Sequence, residues 1–147
     1  MRDMLSNKQV VLLGTVTLSG TTAGATSWVD TREFDAATLV LVTQTVTDAG
    51  TSAGFTFTAQ HADDTAAASA ASIVAADAIN GTISLTVTDD ADDDKVIGGI
   101  GYVGSKRYLR LNGVGTTGTN AVVKVLAILN KPHRAKTTFV GTAVAAT

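Results

Sequence analysis

The chain has 147 residues, which fits one domain of ordinary size, and a globule of this length buries roughly 68–70% of its unfolded surface, enough for a core without covalent staples. It contains no cysteine, which excludes disulfides and thiolate metal sites and suits a protein made in a reducing cytosol. Eleven basic and 13 acidic side chains leave a formal charge of −2, with no broad electrostatic drive toward nucleic acid or an anionic membrane.

Residues 1–8 include an acid and no long apolar stretch, which argues against a signal peptide. Glycine and Asp/Ser/Thr clusters then cut the chain into short, mostly alternating segments. Residues 10–18 predict a first strand, closed by a loop over 19–25, and 26–31 a short second strand carrying the single tryptophan, Trp28. The strongest β signal is 38–47, where Val40, Val42 and Val46 alternate with Leu39, Leu41, Thr43, Thr45 and Thr47. Residues 54–61 follow, with Phe55 and Phe57 on one side and Thr56 and Thr58 on the other. The alanine-rich stretch 63–77 predicts a helical turn or a long loop.

Ile83, Leu85 and Val87 alternate with Thr82, Ser84, Thr86 and Thr88, a half-buried strand that leads into the acidic run 89–94. Residues 96–103 are interrupted by Gly98, Gly99 and Gly101, which predicts a bulge or a close backbone approach. Strands over 108–114 and 121–130 complete the set, and the only proline, Pro132, sits just after the last. The longest apolar stretch, 122–129, is interrupted by Lys124 and falls far short of the roughly 18 residues of a membrane helix, so the chain reads as soluble.

About eight strands at this spacing predict an all-β, jelly-roll-like antiparallel sandwich. The expected organisation is an N-terminal arm over 1–8, a β-sandwich over 9–130 and a C-terminal tail over 131–147. The 24 threonines and 23 alanines, against 16% charged and 5% aromatic residues, make a surface unusually poor in charge. Such a surface makes sense if partners cover much of it.

Sites for chemistry are sparse. Asp90, Asp92 and Asp94 have the spacing with which a calcium loop begins, but Lys95 stands where glycine is required and no glutamate closes the loop at Gly101. A solvated turn is expected there, with weak divalent-ion binding left open. His61 and His133 are too few and too far apart for a zinc site. No nucleophile elbow is present, and Glu33 is the only glutamate, so neither a Ser–His–Asp site nor a paired-carboxylate site is expected. The run from Gly98 to Gly104 lacks the Lys-Ser/Thr and following helix of a phosphate loop. Lys106, Arg107 and Arg110 flank Tyr108 in the manner of a nucleic-acid stripe. Alternation, however, turns Leu109 and Leu111 to the core, and Arg110 is expected to lie over apolar surface and pair with an acid. The chain reads as a non-enzyme without cofactor or metal.

The pieces Leu39-Val-Leu-Val-Thr-Gln44, Phe55-Thr-Phe-Thr-Ala-Gln-His-Ala-Asp-Asp64 and Lys106-Arg-Tyr-Leu-Arg-Leu111 carry a family likeness. With the turn Thr116-Thr-Gly-Thr119 and the ending Lys131-Pro-His-Arg134, the chain resembles the small jelly-roll cement, or decoration, proteins of tailed-bacteriophage heads. The N-terminal segment departs most from that pattern. The resemblance implies a virion protein on the outer head surface that clamps neighbouring major capsid subunits and forms a homodimer or homotrimer, with no nucleic-acid or membrane partner. It also implies reach through the arms, with Arg2, Met4, Leu5, Lys8, Lys131, His133, Arg134, Lys136 and Phe139 as candidate capsid contacts. A carbohydrate-binding jelly-roll module, or another tail or head-completion protein, is the alternative.

Overall fold

The computed structural model describes residues 8–47 and 54–132. Ten strands occur among them: β1 (Lys8–Ser19), β2 (Gly24–Ala25), β3 (Val29–Asp30), β4 (Phe34–Thr47), β5 (Phe55–Ala62), β6 (Ala71–Ser72), β7 (Ser84–Val87), β8 (Val96–Tyr102), β9 (Tyr108–Val114) and β10 (Asn120–Pro132). They form two antiparallel sheets. Sheet I has the order β1-β10-β4-β8, and sheet II the order β2-β9-β5-β6, with β3 also on β9 and β7 also on β5. The chain changes sheet at every long connection except the one from β5 through β6 to β7, and the last strand returns to lie between β1 and β4. That path is the double Greek key of a jelly roll.

The elements follow the sequence with informative departures. The expected strand over 26–31 is reduced to the short β3, because Thr26 turns its hydroxyl to the β9 backbone and Trp28 folds beneath Arg110, and the expected loop over 19–25 ends in the short pairing β2. The stretch 63–77 is a loop with short 3-10 turns at Ala67–Ser69 and Ala75–Asp77, and another turn follows at Ile79–Gly81. Lys8 opens β1 opposite Asn130, and Lys131 and Pro132 close β10, so the sandwich reaches slightly beyond 9–130 at both ends. Both glycine readings are seen in β8, where the register with β4 shifts between Leu41 and Val42 and neighbouring side chains crowd Gly98, Gly99 and Gly101.

Between the sheets, alternation places Leu39 and Leu41 of β4, Val123, Val125, Ala127 and Leu129 of β10, and Ile100 of β8 against Phe55, Phe57, Leu109 and Leu111 of sheet II. Phe57 fits because β9 has no side chain opposite it: a Cβ on Gly113 would stand 2.6 Å from its ring. Beside this contact, the space lined by Val16, Phe57, Leu111 and Val125 has no room for a water molecule. Threonine works here as a clasp as well as a strand former. Thr26 Oγ1 accepts from the Leu111 N–H at 3.1 Å, Thr31 Oγ1 donates to the Arg107 carbonyl at 2.9 Å, and Thr119 Oγ1 donates to the Thr116 carbonyl at 2.7 Å. Each ties a connection to a strand or closes a turn, with a net stabilisation of about 1 kcal/mol per bond. Among the described residues, no buried side-chain nitrogen or oxygen lacks a partner.

Candidate docking face

In a sandwich only the inner faces need to be apolar, and β5 and β9 of sheet II keep to that rule with the exception of Val114. Its outward positions are Thr56, Thr58 and Gln60 on β5, paired across to Val114, Asn112 and Arg110 on β9. Sheet I does not. Its inward set is Leu39 and Leu41 on β4 and Val125 and Ala127 on β10, so the intervening Val40, Val42, Leu126 and Ile128 point outward.

Register joins these residues across four strands. One row runs Val10–Ile128–Thr38–Gly101, the next Leu12–Leu126–Val40–Gly99, and a third brings Lys124 beside Val42 and Val96. The two glycines leave no side chains of their own on this face. A Cβ on Gly101 would meet Ile79 at 2.8 Å, so Ile79 occupies that place, and Thr38 leans over Gly99 in the same way. Val10 is 44% exposed, Leu12 39% and Val96 68%, while Val40, Val42, Leu126 and Ile128 are half-buried by one another. The result is a continuous apolar surface on the outside of the fold, of the kind that marks interaction sites.

Charge is nearly absent from it. Among the described residues, the outward positions of β1, β4, β8 and β10 carry the lysines Lys8 and Lys124 and no carboxylate. Of the arm residues expected to make contacts, Lys8 sits at one end of this face. Lys131 is exposed beside it, in a left-handed backbone conformation (φ 53°) that ends the regular part of β10. Arg2, Met4, Leu5, His133, Arg134, Lys136 and Phe139 lie outside the described residues.

The other candidate positions have local work. Asp89 caps the Asp90–Asp92 turn by accepting from the Ala91 N–H at 2.8 Å, Asp92 pairs with Lys95 at 3.3 Å, and Asp93 accepts from the Val46 backbone. The acidic run is thereby docked on β4, where Thr43 Oγ1 meets the Asp92 and Lys95 backbones. No group of three or more His, Asp or Glu side chains among the described residues is placed to hold a metal.

His61 and Tyr102 join the two sheets at one end of the sandwich, with His61 Nδ1 3.1 Å from the Tyr102 hydroxyl and 3.7 Å from Asp77. The Lys106 N–H donates to that same hydroxyl at 3.0 Å. Burial raises the Tyr102 pKa, with Asp77 and Asp63 adding to the effect against the Lys106 bond.

On sheet II the basic residues are paired off. Arg107 donates twice to Asp30, at 3.0 and 2.7 Å, and stands 4.7 Å over the Tyr108 ring. Arg110 lies 4.3 Å over Trp28 and donates to Gln60 at 2.9 Å, an amide in place of the expected acid, and burial lowers its pKa. Trp28 in turn donates to the Thr65 carbonyl at 3.1 Å.

The apolar face was partly written in the sequence. Leu39-Val-Leu-Val42 is a continuous apolar run and Val122-Val-Lys-Val-Leu-Ala-Ile-Leu129 one broken only by Lys124, and such strands are apolar on both faces. No protein-family model, curated protein or solved structure matches the chain.

Proposed function

We propose that this chain is a structural virion protein of a tailed bacteriophage that binds the outer surface of the head and clamps neighbouring major capsid subunits. The observation that carries the reading is the apolar outer face of sheet I, a four-stranded surface backed by a tightly packed core. An apolar, weakly charged surface of this kind suits docking onto another protein. On this reading the chain acts by binding, without catalysis or cofactor.

A clamp of this type stabilises an expanded shell by mass action, because it binds the assembled lattice and not its free subunits. A small homo-oligomer, dimeric or trimeric, adds multivalency: one anchored copy raises the effective concentration of the next. The carbohydrate-binding alternative needs open aromatic faces on which a sugar ring stacks. Trp28 lies beneath Arg110, Tyr108 beneath Arg107, and Tyr102 between the sheets, so these rings are already covered.

The test is cosedimentation of the purified chain with expanded heads and with unexpanded precursor shells of the same virus. Saturable binding to expanded heads is the expected result. A chain that stays in the supernatant with both shells, while Trp28 fluorescence titrates saturably with sugars, contradicts it.

A further inference from the structure

We infer that the outer face of sheet I is the surface that meets the shell, and that the matching surface of the partner is apolar with carboxylates opposite Lys124 and Lys8. The inference deepens the cement reading and rests on it. Its first support is the contrast between the two sheets of one molecule. Sheet II turns Thr56, Thr58, Gln60, Arg110 and Asn112 outward with the single valine Val114 at the end of β9, whereas sheet I turns out Val10, Leu12, Val40, Val42, Leu126 and Ile128. Solubility in water explains the first pattern and gives no reason for the second.

Size is the second support. Four strands about 4.8 Å apart span about 14 Å, and the seven residues from Val122 to Ile128 about 20 Å, a patch of about 300 Å². That matches the largest apolar patches of soluble proteins, which are often functional. It is less than half of the roughly 800 Å² per partner in a standard interface, so this face supplies the apolar centre of a contact that other segments complete.

Charge decides the occupant. Two copies of the chain placed face to face would bring lysines from both sides and, among the described outward positions of these strands, no carboxylate to receive them; Asp35, the one carboxylate of the four strands, stands at an alternate position at the end of β4. A partner with acidic groups around an apolar strip satisfies both lysines. A lysine among apolar neighbours can lay its stem along them and keep its ammonium at the rim of the patch.

The experiment is binding of variants to expanded heads, each checked for native folding by circular dichroism and Trp28 emission. Leu126→Asp is expected to weaken head binding at least about tenfold, a loss of about 1.4 kcal/mol. Lys124→Glu is expected to weaken binding and to remove much of its salt dependence, while Thr58→Asp on sheet II binds as the parent does. Parent-like binding by both sheet I variants, or an equal loss from Thr58→Asp, overturns the inference and leaves the cement reading standing. Failure of the unmodified chain to bind heads overturns both.

Discussion

At Trp28 the indole is covered by Arg110, whose guanidinium sits 4.3 Å above the ring while its Nε is held by Gln60. Removing that cover by Arg110→Ala is expected to expose the indole, shift its emission to the red and cost about 1–2 kcal/mol in chemical denaturation. Tyr102→Phe keeps the ring between the sheets but orphans the Lys106 N–H and the His61 Nδ1 contact. A loss of about 1–3 kcal/mol is expected from the unsatisfied donor, read as a lowered Tm.

Asp30 gives a pH signature. Burial works against its ionisation, but the Arg107 side-chain bonds, the Arg32 N–H and the charges of both arginines outweigh it and hold its pKa below the ordinary value. A carboxylate depressed on folding contributes stability above its unfolded pKa of about 3.9, and loses it as pH falls through the folded value. For a pair this exposed the contribution is about 0–1 kcal/mol. The Tm gap between the parent and Asp30→Asn is therefore expected to close on acidification from about pH 6 to pH 2. A constant gap would show that the ion pair is not its source.

Among the elements, the long strands were legible because period-2 alternation fixes which side is buried. Phe55 and Phe57 in β5, and Leu109 and Leu111 in β9, point inward as their spacing requires. What alternation alone leaves open is whether the second face is also covered. In β4 and β10 both faces are apolar, and only the register across β1, β10, β4 and β8 reveals that their outward residues form one surface. The segment 26–31 predicts one short strand, of which only Val29–Asp30 forms. The bonding of Thr26 and Trp28 to other parts of the chain is a long-range contact that no local pattern records.

Gly113 illustrates the same limit at a single strand position. Its need for glycine comes from the Phe57 ring of the neighbouring strand, 56 positions earlier in the chain. Gly113→Ala is expected to overpack this point and destabilise the fold by about 1–3 kcal/mol in urea unfolding. An unchanged midpoint would mean that Phe57 moves aside freely.

For the whole molecule, the jelly-roll path joins strands that are far apart in sequence, as when β1 pairs with β10. Such a topology folds slowly, on a millisecond-to-second scale, and yields a rigid body once the sheets close. The combination expected of a clamp is a stiff body with one sheet left apolar on both sides and the other made polar by Thr, Gln, Asn and Arg. The arm contacts expected from the sequence are only partly placed, with Lys8 and Lys131 at the edge of the apolar face. Their position puts the first and last described residues of the chain at the edge of that face.

The central claim is most directly tested by a cryo-EM reconstruction of expanded heads decorated with the chain. The account predicts density on the outer surface at local symmetry axes, with β1, β10, β4 and β8 against the shell and Lys124 facing capsid carboxylates. Density oriented with sheet II against the shell, or heads left bare at saturating protein, would contradict it.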